Sequence, residues 1–486
     1  MPIVSTRLSR LILIGLASLA ASSASPQTVA SAPDEFRLEP CRVAGVDEEL
    51  RCGTFQVYEN RAARRGRMLP LRVTVIPGRE PQQGAAPVFV VFGGPGQTAS
   101  EQIARMAGNW QRRFHDVVIV DQRGTGDGHR LDCPVGGSDG DLQAYLEPIF
   151  QPAAFLACRD ALASNFDLSQ YSTENAVDDL DQIRRALGHD RILLTGGSYG
   201  TRMILAYIRR HGAHVGGAMM MGLAPFDLRN PLYHARGAQQ AWDGLVAECN
   251  AEPACRAAYP DLQRDFETVR ARLRSSPAEV ELNNPATGER VSLRLSEEAF
   301  GEAVRVMMYN IAPARRLPFL IRRALDGDLT SFAEAGLRAN RQLRDQLRMG
   351  MLLSVVCSED VARIRPEDVE RETRGTFLGA NRVRQQMAIC AQWPASVLPA
   401  DHAEPLRSDV PVLLFTGNID PVTPPRWGEA TALFFSRARH LVVPAGHDAN
   451  GPCVHAISQQ FLRRSTLDGL DTSCADQLRA PPFILP

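Results

Sequence analysis

Arg191-Ile192-Leu193-Leu194-Thr195-Gly196-Gly197-Ser198-Tyr199-Gly200-Thr201-Arg202-Met203-Ile204-Leu205-Ala206-Tyr207 decides how the chain is read. The apolar run over residues 191–195 predicts a buried strand, and the pattern from Thr201 onward predicts a helix start. Between them Gly-x-Ser-x-Gly places Ser198 on a tight strand-to-helix turn, where small flanking residues hold a nucleophile exposed. The pentapeptide alone says little, because Gly136-Gly137-Ser138-Asp139-Gly140 repeats it. That copy follows Cys133-Pro134 among Gly and Asp and reads as a loop. Only Ser198 has a strand before it and a helix after it.

Working outward, short apolar runs at 53–58, 71–76, 88–92, 117–120, 217–221, 412–416 and 440–443 alternate with helical patterns. Together with 191–195 they predict an α/β fold with a mostly parallel sheet flanked by helices. Residues 226–405 differ, carrying Arg, Ala, Glu and Leu at helical spacing, as in 262–274 and 317–325, where Pro318 suits a first helical position. The expected organisation is one sheet domain, 26–225 and 406–486, interrupted by a large helical cap, 226–405, inserted before the last two strands.

A serine hydroxyl is a weak nucleophile at neutral pH, so a base must take its proton and a carboxylate must orient that base. On a strand–turn–helix elbow of this kind the chain order is Ser, acid, His. Of the ten His, four come late enough. His447 follows the last strand in Pro444-Ala445-Gly446-His447 and is the expected base. His402 precedes the strand that should carry the acid, His440 lies within a strand pattern, and His455 is held in reserve. Asp420 leaves the 412–416 strand in Gly417-Asn418-Ile419-Asp420-Pro421 and is the expected acid, its alternative being a turn-forming Asp before Pro. Backbone N–H groups of Tyr199 and of Gly94, in Phe92-Gly93-Gly94-Pro95-Gly96, are the expected oxyanion donors.

Composition removes competing chemistries. All 54 basic residues of the 486-residue chain are Arg. Without Lys there is no P-loop lysine, no Schiff base and no Ser-Lys dyad. A net charge of −1 offers no broad basic field for nucleic acid. No cofactor and no metal are expected, since Cys-x-x-Cys and His-x-x-x-His clusters are missing from the sequence. Arg7 and Arg10, an apolar run over 11–21 and the small residues Ser22-Ser23-Ala24-Ser25 predict a signal peptide over 1–25 and export to the periplasm or beyond. The run falls short of the roughly 20 residues that span a bilayer, so no stable membrane anchor is expected. Ten cysteines follow: Cys41, Cys52, Cys133, Cys158, Cys249, Cys255, Cys357, Cys390, Cys453 and Cys474. An even count in an exported chain favours disulfides, with neighbours in sequence as the natural partners, though sequence alone does not fix the connectivity.

These residues resemble the α/β-hydrolase aminopeptidases that include proline iminopeptidase and the secreted bacterial tripeptidyl aminopeptidases. The likeness runs through Gly93-Gly94-Pro95-Gly96, Asp121-Gln122-Arg123-Gly124-Thr125-Gly126, Tyr171-Ser172-Thr173 before Asp179-Leu180-Asp181, Gly197-Ser198-Tyr199-Gly200-Thr201, Asp420-Pro421-Val422-Thr423-Pro424, and Gly446-His447 followed by Cys453 and Cys474. In the inserted region it touches only Cys357-Ser358-Glu359 and Cys390-Ala391-Gln392-Trp393-Pro394. Two positions depart from it: Phe92 stands where His is frequent, and Gly128 where Ser is usual. The resemblance implies an α/β-hydrolase fold, a short peptide substrate that loses N-terminal residues, and recognition of the free amino terminus by Glu359, with Asp360 beside it. Asp121 and Arg123 are expected to tie loops together beneath the site. Two other readings stay open, an ester hydrolase or lactonase with the same triad and a non-catalytic binding relative of the fold.

Overall fold

The computed structural model describes residues 36–486; the expected signal peptide lies outside the described residues. Eleven strands occur among the described residues: β1 (Glu39–Cys41), β2 (Leu50–Tyr58), β3 (Met68–Ile76), β4 (Val88–Val91), β5 (Val117–Val120), β6 (Ile192–Gly197), β7 (Val215–Met221), β8 (Ala278–Asn283), β9 (Arg290–Leu295), β10 (Val412–Gly417) and β11 (Ala438–Val443). Nine of them form one sheet in the order β1-β2-β3-β5-β4-β6-β7-β10-β11. The β1–β2, β2–β3 and β3–β5 pairs are antiparallel, and every pair from β5 to β11 is parallel. The eight expected strands are all present. Strand β4 lies near the middle of the sheet, and its run Val88-Phe89-Val90-Val91, buried at every position, suits a strand covered on both faces; β11 closes one edge.

The parallel half positions the site. Strands β4, β6, β7, β10 and β11 all run the same way, so the loops that leave their carboxyl ends converge on one edge, where open α/β sheets bind ligands. Those loops carry Gly94, Ser198, Gly222, Asp420 and His447 respectively.

Between β7 and β10 the chain forms a series of helices, as the spacing predicted over 262–274, seen as the helix Leu262–Ser275. Two details differ. The helix around Pro318 spans Ile311–Leu325, so Pro318 is interior and not at the first position. A helical interior Pro forfeits one backbone hydrogen bond; here Ala314, Leu317, Leu320, Ile321 and Ala324 are buried along one face, and that packing outweighs the loss. The region also holds the β8–β9 hairpin. Val280 and Leu282 on β8 and Leu293 and Leu295 on β9 are buried while Glu279, Glu281 and Arg294 alternate outward. That two-residue period was present in the sequence, but Glu, Arg and Leu are also good helix formers, and composition hid it.

All five disulfides join sequence neighbours: Cys41–Cys52, Cys133–Cys158, Cys249–Cys255, Cys357–Cys390 and Cys453–Cys474. Among the described residues no helix is long and apolar enough to cross a membrane. Arg123 is fully buried and meets Asp179 with two hydrogen bonds, Nε to Oδ2 at 2.7 Å and Nη2 to Oδ1 at 2.9 Å. Its remaining N–H groups donate to the carbonyls of Glu59 and Gln170, while Asp121 accepts from the Ser100 N–H. Both residues of the Asp-Gln-Arg motif thus tie loops together, as expected.

Candidate active site

Ser198 sits between β6 and the helix Tyr199–His211 with φ 55° and ψ −129°. A non-glycine residue held at positive φ carries strain of about 1–2 kcal/mol and persists only when its surroundings over-determine it. Here the Ser198 N–H donates to the Met221 carbonyl (2.9 Å), and the Ser198 carbonyl accepts from both the N–H and the hydroxyl of Thr201 (2.9 and 2.6 Å). The flanking glycines are steric necessities. A Cβ on Gly200 would stand 2.6 Å from the Val91 carbonyl oxygen, and one on Gly196 2.9 Å from the same atom. The elbow therefore packs directly on the end of β4.

The loop after β4 approaches Ser198 closely, since a Cβ on Gly93 would fall 3.3 Å from Ser198 Cβ. Gly94, at φ 112°, and Tyr199 line the same cavity as Ser198. Tyr199 is the first residue of its helix, so its N–H has no intrahelical acceptor and is free to serve a bound oxygen. Its phenol points elsewhere, sharing a hydrogen bond with Thr173 Oγ1 at 2.8 Å.

His447 and Asp420 meet across the β10 and β11 loops, Nδ1 to Oδ2 at 2.9 Å. Asp420 also accepts from the Val422 and Thr423 N–H groups (2.8 and 2.9 Å) and from the Thr423 hydroxyl (2.7 Å). Burial alone would raise the Asp420 pKa, but His447 and these donors hold it below the ordinary carboxylate value. Burial likewise pulls His447 down, and the charge of Asp420 outweighs it, leaving the imidazole pKa above its usual value. Nδ1–H is thus committed to Asp420. His447 lines the cavity with Ser198.

Two neighbours of His447, Gly222 and Tyr309, had no signal in the sequence, and a third, Thr423, appeared there only as part of the Asp420–Pro424 stretch. Gly222, at φ 62°, sits where a Cβ would come within 3.0 Å of His447 Cε1. Tyr309, from the inserted region, packs edge-on to the imidazole with ring centroids 5.0 Å apart, and its carbonyl accepts the Asp448 N–H. Thr423 follows Asp420 in a turn and braces it. A nucleophile, a base with an oriented carboxylate and two backbone donors around one cavity of about 1130 Å³ can in principle carry acyl transfer.

The sequence matches the alpha/beta hydrolase fold family over residues 86–451. This chain belongs to that family. The hydrolase is 24% identical over 420 residues to the serine protease Hip1 of Mycobacterium tuberculosis (strain ATCC 25618 / H37Rv), covering 79% of each chain. It is 27% identical over 137 residues to the proline iminopeptidase of Neisseria gonorrhoeae, covering 28% of this chain and 32% of that one. A solved structure, the proline iminopeptidase of Mycobacterium smegmatis, aligns over 85% of this chain and 98% of that one at 16% identity with a TM-score of 0.39. The hydrolase is accordingly a serine hydrolase of α/β fold with peptidase-named relatives.

The remaining expected residues of the hydrolase divide. Asp360 lines the cavity, but Glu359 does not. Both Glu359 oxygens are taken, Oε1 by the Thr173 N–H (2.7 Å) and Oε2 by the Thr173 hydroxyl (2.8 Å), and the residue is fully buried. The expectation that Glu359 itself meets the substrate is revised on that ground: in this structure the carboxylate is sealed behind Thr173 and does not reach the cavity wall, where of the two acids Asp360 stands. Asp360 Oδ1 accepts from Arg202 Nη1 at 2.8 Å; burial raises the pKa of both acids against the pull of Arg202. His455 Nε2 meets Asn450 and its ring stacks on Trp110, away from Asp420. His440 bonds Thr416, His402 is buried near Glu174, and Ser138 closes a short turn with Asp141.

Proposed function

We propose that this hydrolase is an exported serine peptidase that removes N-terminal residues from short peptides. Ser198 attacks the scissile carbonyl, His447 takes the serine proton and returns it to the leaving amine, and Asp420 holds the imidazole in the Nδ1–H tautomer. The N–H groups of Gly94 and Tyr199 receive the oxyanion, each such donor being worth about 3 kcal/mol of barrier. The observation that carries this reading is the pairing of a strained Ser198 elbow with an Asp420-bound His447 on one cavity wall. Peptide rather than ester chemistry is supported by the peptidase names of the relatives. A short substrate is supported by the roofing of the cavity with residues of the 226–405 cap, Tyr309, Asn340, Leu347 and Arg382 among them. Five disulfides suit an oxidising compartment.

The test compares free-amine peptidyl amides, their N-acetylated forms and simple esters, with wild type and Ser198→Ala. Turnover of the free-amine amides alone, lost in Ser198→Ala together with fluorophosphonate labelling, is the expected result. Equal turnover of acetylated substrates removes the exopeptidase assignment. Turnover of esters only makes the protein an esterase. Unchanged activity of Ser198→Ala removes the mechanism.

A further inference from the structure

The cavity beside Ser198 is not electrically neutral. Seven arginines line it against four carboxylates. The imbalance concentrates where Arg305, Arg344 and Arg382 face a single acid, Glu302. Arg305 takes up Glu302 in a forked ion pair, with Nε 2.9 Å from Oε2. Burial would raise the Glu302 pKa, yet Arg305, with Arg382 and Arg344, holds it down at about 2, so this acid stays charged and its charge is already spent. Arg344 spends its N–H groups on the carbonyls of Ala144 and Glu147 and forms no ion pair among the described residues.

Arg382 is the least satisfied of the three. Among the described residues its nearest carboxylate oxygen is Glu302 Oε1 at 3.5 Å, and its Nε reaches Gln386 only at 3.4 Å. The guanidinium lies over the Phe150 ring, 5.1 Å from its centroid, and both residues line the cavity. Burial, and then the nearby charge of Arg305, lower its pKa to about 10, so it remains a cation at neutral pH. A guanidinium in this state gains most from a planar bidentate anion.

The cluster is wired to the reacting groups. Arg305 Nη1 donates to the Tyr309 hydroxyl at 2.9 Å, and Tyr309 packs on His447. His234 lines the same cavity, is 7% exposed, and its Nδ1 has no hydrogen-bond partner among the described residues. Burial first, then Arg382, Arg305 and His447, push its pKa well down, so a neutral imidazole with an open nitrogen stands within the field of both arginines and of His447.

We propose that Arg382, backed by Arg305 and Arg344, forms a subsite for a carboxylate of the substrate, so that the hydrolase selects short peptides bearing a negative charge near the scissile bond. The carboxylate can be the free C-terminus of a very short peptide or an acidic side chain. This rests on the peptide reading above, but it concerns binding and can be measured without turnover. Arg382 acts as a specificity residue and takes no part in bond breaking.

The experiment uses the full-length Ser198→Ala protein, whose cavity is intact, and isothermal calorimetry with two peptide pairs. Trialanine against trialanine amide tests the C-terminal carboxylate, and Ala-Glu-Ala-amide against Ala-Gln-Ala-amide tests the side chain. The expected result is that one charged member binds about tenfold or more tightly than its neutral partner, as for other guanidinium–carboxylate forks. Adding Arg382→Gln should collapse that ratio toward one, and Arg382→Lys should retain part of it. Thermal unfolding of each variant checks that it folds; should Arg382→Gln not fold, the ratio in Arg382→Lys decides. No preference in either pair, or a preference that survives loss of the guanidinium, overturns the subsite. Failure of the peptidase reading shows separately, as wild type that binds the charged peptide and leaves it uncleaved.

Discussion

Asp420 Oδ2 lies 2.9 Å from His447 Nδ1 and takes the Thr423 hydroxyl at 2.7 Å on the same oxygen. Two donors on one oxygen fix both the carboxylate plane and the imidazole tautomer. Asp420→Asn keeps the shape but reverses the hydrogen-bond polarity, so we predict a fall in kcat of about 10⁴-fold. Thr423→Val, which loses one donor to a charged acceptor, should cost about 2 kcal/mol of barrier, some 30-fold. Steady-state kinetics on a chromogenic peptide amide measures both; an Asp420→Asn enzyme within tenfold of wild type would remove Asp420 from the site.

The pH profile follows from the raised pKa of His447. A base works only when unprotonated, so kcat/KM should be full above the His447 pKa and fall about tenfold per pH unit below it. Because Asp420 raises that pKa, the acid limb should lie above the usual imidazole value of about 6.5, and in Asp420→Ala the residual activity should show its limb at lower pH. A limb that stays in place in the variant contradicts this electrostatic account.

Arg123 and Asp179 are both nearly inaccessible, at 0% and 3% of side-chain exposure. Removing one partner of such a pair strands the other charge, which typically costs about 3–5 kcal/mol. Asp179 keeps Arg61 as a second ion-pair partner, whereas Arg123 without Asp179 has only backbone carbonyls to meet, so Asp179→Leu should lower the stability in urea by that amount, and an effect below about 1 kcal/mol would show that solvent reaches the pair.

Cys357 and Cys390 close a 33-residue separation within the inserted region. By loop-closure entropy the crosslink is worth about 4 kcal/mol. Replacing both by Ala should destabilise the protein by a similar amount, and more than replacing Cys249 and Cys255, which are only 6 apart. Differential denaturation of the two double variants reads the order, and a reversed order would mean that the bridges act on the native state.

Local pattern was enough to reveal the central sheet, the Ser198 elbow and the disulfide neighbours. The elbow is written in Gly196-Gly197-Ser198-Tyr199-Gly200 because steric demands against Val91 leave no room for side chains at two of those positions. The Asp420–His447 contact was legible too, since chain order and strand ends constrain where the two residues fall. Pro318 misled because a local rule about helix starts ignored a buried face that carries the helix through it.

Sequence by itself thus determined the fold and the chain order of Ser198, Asp420 and His447 at the strand ends, properties that depend on local sterics and periodicity. Tertiary structure alone decided what surrounds them. It sealed Glu359 against Thr173, a partner 186 residues away, and it set Tyr309 on His447. It also gathered Arg305, Arg344 and Arg382 around one carboxylate, on helices or helix ends whose residues are ordinary surface types in sequence. Burial converts those ordinary charges into strong fields, and burial exists only once distant segments have packed.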